Sequence, residues 1–122
     1  MTTPAGNIGL QLDLQIKQGA DWAIEVDLTN EDNTAFDLTP YTHVAHLRKK
    51  PFASPVISLT VTSPIAGRLR FSLTHTQTAA LSCGPDLESD ASWYVWDHEL
   101  VAISGGEITP GFFGDVSVFR DL

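Results

Sequence analysis

The chain carries one cysteine, Cys83, and one methionine. A single thiol excludes an internal disulfide and a thiolate zinc cluster. Cys83 lies between Ser82 and Gly84, with no sign of the lowered pKa or the partnered histidine that a nucleophile needs. It reads as a small half-buried filler. Basic residues are also scarce, with 7 Lys and Arg against 15 Asp and Glu and a net charge of −8 over 122 residues. That balance argues against nucleic-acid binding, which depends on cations neutralising phosphates. No apolar run approaches the roughly 20 residues that span a bilayer, so no membrane partner is expected. The first residues, Met1-Thr2-Thr3-Pro4-Ala5-Gly6-Asn7, have neither the basic region nor the apolar core of a secretory signal. The chain is expected to remain where it is made, in a cytoplasm. A nucleophile elbow, a phosphate-binding glycine loop and a dinucleotide fingerprint are all missing.

What the sequence does contain is alternation. Leu10, Leu12, Leu14 and Ile16 alternate with polar residues, and so do Trp22, Ile24, Val26 and Leu28. Side chains on a strand point to opposite faces in turn, so each run has one buried and one wet side. Val56–Thr62 is expected as one strand with Ile57, Leu59 and Val61 inward, and Arg68–Leu73 as another with Leu69, Phe71 and Leu73 inward. Thr42–Lys49 has mixed parity, which suggests a strand covered on both sides or one with a bulge. Thr74-His75-Thr76-Gln77 matches a capping box at the start of a short helix ending near Leu81. Ser92–Val101 places Tyr94, Trp96, His98 and Leu100 on one face and Trp93, Val95, Asp97 and Glu99 on the other. Ser104-Gly105-Gly106 is a hairpin loop. Glu107–Thr109 continues as strand, Pro110-Gly111 interrupts it, and Asp115–Phe119 is the last strand. Residues 1–8 read as an extended arm and 9–122 as a single all-β sandwich with one short helix.

Little in this pattern carries chemistry. His43 and His46 fall on opposite faces of a strand and cannot share an ion without a bulge. His98 points away from its neighbours Asp97 and Glu99 for the same reason. No catalytic residue, metal ligand or cofactor site is assigned. Asp97, Glu99 and Glu107 read as edge charges that discourage aggregation. The aromatics say more. Trp93 opposes Tyr94 and Trp96, so it is covered by a loop or belongs to an interface, where aromatics are enriched. Phe112 and Phe113 are adjacent between Gly111 and Gly114, so at least one is expected to leave the core. Arg48, Lys49 and Lys50 form a local basic cluster, and Arg68 and Arg70 share a strand face.

Gln18-Gly19, Asp37-Leu38-Thr39-Pro40-Tyr41, Arg48-Lys49, Thr78 and Leu81 within Thr74–Leu81, Tyr94-Val95-Trp96-Asp97 and Gly106-Glu107-Ile108-Thr109 occur in that order. The pattern resembles small tailed-phage virion proteins, and is similar to the N-terminal immunoglobulin-like domain of phage baseplate upper proteins and tail-fibre adaptors. It covers most of the chain. Pro40 departs from it, standing where the family usually has glycine, and proline cannot supply a positive φ. The resemblance implies an immunoglobulin-like antiparallel β-sandwich. It also implies a non-enzymatic virion protein of the phage tail, a baseplate or tail-fibre adaptor subunit in a symmetric multi-copy assembly with other phage structural proteins. A capsid decoration protein is the competing expectation; a small hydrolase has no constellation behind it. The residues expected to make subunit contacts are Thr2, Thr3 and Pro4 of the arm, Arg48, Lys49 and Lys50, and the aromatics Trp93, Phe112 and Phe113.

Overall fold

The computed structural model describes residues 2–4, 9–49, 53–81 and 92–119, of which 2–4, 49, 53–56, 92 and 93 are described by backbone alone. The described residues form nine strands and one short helix: β1 (Thr2–Pro4), β2 (Leu14–Lys17), β3 (Trp22–Thr29), β4 (Tyr41–Lys49), β5 (Ala53–Ser58), β6 (Thr60–Thr62), β7 (Arg68–Leu73), α1 (His75–Ala79), β8 (Ser92–Ala102) and β9 (Ile108–Phe119). Two sheets face each other, ordered β1-β3-β7-β6 and β2-β9-β8-β4-β5. The architecture is an all-β sandwich. Its interior pairings are antiparallel, and the edge strands β1 and β2 pair in parallel with β3 and β9.

The alternating runs form the core. Leu14, Ile16, Val26, Leu28, Leu69, Phe71, Leu73, Tyr94, Trp96 and Leu100 are buried together, with Trp22 and Ile24 only partly covered at its margin. On β4 the ambiguous parity resolves to one face, with Ala45 and Leu47 buried and Val44 exposed, and a register shift follows between Arg48 and Lys49.

Three expectations change in detail. The first strand is shorter than its alternation, because only Leu14–Lys17 joins a ladder while Gln11 makes an isolated bridge to Phe113. Val56–Thr62 is not one strand: β5 pairs with β4 and β6 with β7, in different sheets. Buried Leu59 sits at the crossing, its N–H donating to the Ala45 carbonyl at 2.9 Å. Finally, Pro110-Gly111 does not end a strand. It forms a bulge in a continuous β9, since the register steps from Asp97↔Phe113 to Glu99↔Pro110, leaving Gly111 and Phe112 opposite His98 alone. Proline lacks the ladder donor, and a bulge tolerates that.

The motif residues that carry the resemblance meet in space. Gln18 Nε2 donates to the Leu81 carbonyl at 2.7 Å, and the Gly19 N–H donates to Thr78 Oγ1 at 3.1 Å. The fully buried Thr78 hydroxyl donates in turn to the Ala20 carbonyl at 2.8 Å. Gly19 has φ +83°, a left-handed conformation that glycine adopts without strain. Both halves of the Thr74–Gln77 capping box are present. The β2–β3 turn and α1 are therefore stapled together by sequence-distant residues. Among the described residues, no helix is long and apolar enough to cross a membrane.

Candidate functional site

The two outer faces of the sandwich differ in how their charges are settled. On the four-stranded sheet, β3 and β7 put Glu25 opposite Arg70 and Asp27 opposite Arg68. Arg68 meets both Asp27 carboxylate oxygens, at 2.7 and 3.2 Å, and Arg70 reaches Glu25 at 3.9 Å. The guanidinium of Arg68 holds the Asp27 carboxyl below its usual range. The pair Arg68 and Arg70, which in sequence resembles a basic patch, is neutralised in register.

On the outer face of the five-stranded sheet, no ion pair joins Arg48 or Asp97 to another described residue. The rows of this face run His46–Asp97–Phe113 and Arg48–Val95–Asp115 across β4, β8 and β9. A groove of about 430 Å³ lies over this face, lined by Gln11, Arg48, Val95, Asp97, Phe113 and Asp115 among others. Phe113 is 47% exposed at its edge, and Val44 adds further exposed apolar surface on β4. The Nε of Arg48 is buried and finds no acceptor among the described residues. A buried donor left unpaired costs free energy. The Nε itself is closed to solvent, so any partner from outside must meet the terminal guanidinium nitrogens of this half-buried arginine. The groove wall is held rigidly. Leu12 donates its N–H to the Phe113 carbonyl at 2.7 Å, Asp13 Oδ1 accepts from Asp115 N–H at 3.0 Å, and Trp96 Nε1 donates to the Leu12 carbonyl at 2.7 Å. A Cβ on Gly114 would stand 2.4 Å from the Leu12 carbonyl oxygen. The residue after Phe113 must therefore be glycine for this close approach.

Of the residues expected at subunit contacts, the structure brings Arg48 and Phe113 to this one groove. Phe112 is a correction. It is 1% exposed and packs in the core against Phe71 and His98. The β9 bulge explains it: one extra residue turns Gly111 and Phe112 inward in succession and leaves Phe113 outward. Thr2, Thr3 and Pro4, expected to find a partner on another chain, pair here with Asp27, Leu28 and Thr29 of the chain's own sheet. Lys49 and Trp93 lie in β4 and β8 with side chains outside the described residues; Lys50 and Cys83 lie outside them altogether.

A second cluster was not anticipated. His43 Nδ1 and His98 Nε2 are 3.1 Å apart, and His98 is 2% exposed. Its ring packs edge-on against Phe71 and nearly parallel to Phe112. The Phe112 N–H points to His98 Nδ1 at 3.5 Å, which assigns the His98 proton to Nε2 and makes His43 Nδ1 the acceptor. Burial, then the neighbouring His43, pushes His98 down to about 3. Such a ring is a weak base at neutral pH. Parity placed His98 on the inner face in the sequence, but its partner sits on a different strand. Among the described residues no three His, Cys, Asp or Glu side chains are grouped to hold a metal ion.

No protein-family model and no curated protein sequence matches the chain. Among solved structures it is similar to the N-terminal domain of phage TP901-1 ORF48, with a TM-score of 0.50 at 10% identity, covering 89% of this chain and 94% of that one. A DUF4785 family protein from Legionella pneumophila superposes with a TM-score of 0.48 at 18% identity, over 88% of this chain and 26% of that one. This chain shares the fold of a domain from a phage protein.

Proposed function

We propose that the chain is a non-enzymatic structural protein of a phage virion, a tail baseplate or tail-fibre adaptor subunit that works through contacts with other phage structural proteins. The observation that carries this reading is the fold likeness to the phage TP901-1 domain, which spans 89% of this chain and 94% of that domain. A match over nearly the whole of both chains means that the common unit is the entire sandwich rather than a shared hairpin. The sequence pattern that resembles tailed-phage proteins supports it independently. Its residues Gln18, Gly19, Thr78 and Leu81 are bonded to one another, so the pattern specifies a particular local structure. The surface fits the same role: one sheet face is electrostatically closed, while the other offers Arg48, Asp97 and Phe113 around a groove. Interfaces favour such aromatic and arginine anchors.

The test is to find the protein in the particle. Mass spectrometry of purified virions, with gold-labelled antibody raised against the chain, is expected to place it at the tail tip. Label spread over the head would replace this reading with capsid decoration. Absence from particles would overturn both.

A further inference from the structure

We infer that the outer face of the five-stranded sheet docks a second copy of this chain about a two-fold axis, with Arg48 of each copy set against Asp97 of the other. The inference rests on the reading above that this face is an interface, and it names the partner.

Two charges on this face have no partner among the described residues. Arg48 and Asp97 stand on adjacent strands, one register row apart. Among the described residues Arg48 makes no ion pair and its Nε has no acceptor. Asp97 likewise receives no hydrogen bond from any described residue. The opposite sheet of the same molecule shows what this fold does with facing charges when they serve only the monomer: Arg68 and Arg70 are paired with Asp27 and Glu25. An unpaired arginine beside an unpaired aspartate on one patch is self-complementary. A two-fold contact places the same patch on both sides, so residue i meets j and j meets i. Exchanging Arg48 with Asp97 makes two identical ion pairs at once. It leaves Val95, the register neighbour of Arg48, and His46, the register neighbour of Asp97, equally close to the axis. Phe113, 47% exposed at the groove, adds the apolar area that such a contact buries.

A purely acidic partner would be repelled by Asp97, and a purely basic one by Arg48. A surface carrying both signs in the same arrangement satisfies both. The net charge of −8 opposes self-association at low salt. At about 0.15 M ionic strength, however, charges more than roughly 8 Å apart are largely screened, and the close pairs remain.

Sedimentation velocity on the full chain over a concentration series at that ionic strength is expected to show a monomer–dimer equilibrium. Arg48→Asp alone and Asp97→Arg alone each set like charges against each other twice, and each is expected to weaken the dimer by about tenfold or more. An equimolar mixture of the two variants restores both ion pairs, and its heterodimer is expected to form about as tightly as the wild-type dimer. Phe113→Asp is expected to leave a folded monomer, checked by its circular dichroism melt. A wild-type chain that stays monomeric up to about 1 mM overturns the inference. So does a dimer indifferent to all three changes, or variants that fail to recover on mixing. Dimerisation through this face by a protein absent from virions would overturn the virion reading alone. A monomer found at the tail tip would overturn only the two-fold contact.

Discussion

His98 donates its Nε2–H to Nδ1 of His43 at 3.1 Å, a direct ring-to-ring hydrogen bond between adjacent strands that joins a buried histidine to a half-buried one. Around them stand Phe71 and Phe112. Burial, then the neighbouring His43, holds His98 neutral by lowering it to about 3, and burial lowers His43 as well.

That neutrality makes stability depend on pH in a defined window. The unfolded chain protonates its histidines near 6.5, whereas folded His98 resists protonation until about 3. Between those values the unfolded state binds the extra proton. The contribution is therefore complete above about 6.5 and is lost as pH falls, at up to about 1.4 kcal/mol per pH unit for one group. Asp21, Asp27, Asp32 and Asp37 have carboxyls lowered below 3.8, so their losses begin only below about pH 5. Urea unfolding at pH 7, 6 and 5 is expected to show the decline, and His98→Phe is expected to flatten it. An unchanged slope in the variant would refute the assignment.

Phe71 is fully buried and meets Trp96, His98 and Phe112 edge-on, with ring centroids 5.2, 5.0 and 6.2 Å away. Truncation to alanine removes the ring that these three pack against and leaves a cavity. Phe71→Ala is expected to cost about 3–5 kcal/mol, measured by chemical denaturation at pH 7. A loss under about 1 kcal/mol would mean that the neighbours collapse into the space.

Gly111 lies in the β9 bulge, where an added Cβ would stand 2.1 Å from His98 Nδ1 and 2.8 Å from its carbonyl oxygen. The backbone of His98 cannot yield as a surface side chain would. Gly111→Ala is expected to destabilise by about 1–3 kcal/mol through overpacking. It should also shift the His98 ring signals in an NMR spectrum. Gly106→Ala meets no atom within 4 Å but sits at φ +69°, so it is expected to lose stability through backbone strain alone, with those signals unmoved.

Thr78→Val tests the staple between α1 and the β2–β3 turn. The change keeps the shape and deletes the hydroxyl that accepts from Gly19 and donates to Ala20. Burying those backbone groups without a partner is expected to cost about 1–3 kcal/mol. Hydrogen exchange at Gly19 should rise by more than exchange in β8. If both rise equally, the staple is no local device.

Strand parity was legible wherever one strand kept one face inward. Trp22–Thr29, Arg68–Leu73 and Ser92–Ala102 follow their alternation because burial on one side and water on the other is a local, period-two demand. The capping box was equally legible, since all its bonds close within four residues. Arg48 and Phe113 stood out as candidate contact residues by type alone.

The rest was decided by which strand lies beside which. Arg68 and Arg70 look like a basic patch until β3 supplies Asp27 and Glu25 in register. Phe112 and Phe113 look interchangeable until one extra residue opposite His98 sends the first inward and the second out. His43 and His98 are 55 residues apart and meet only because β4 and β8 pair. Periodicity is a property of neighbours along the chain and survives in the sequence. Register, bulges and the pairing of charges across strands depend on contacts between distant segments, and these exist only once the two sheets have closed on each other.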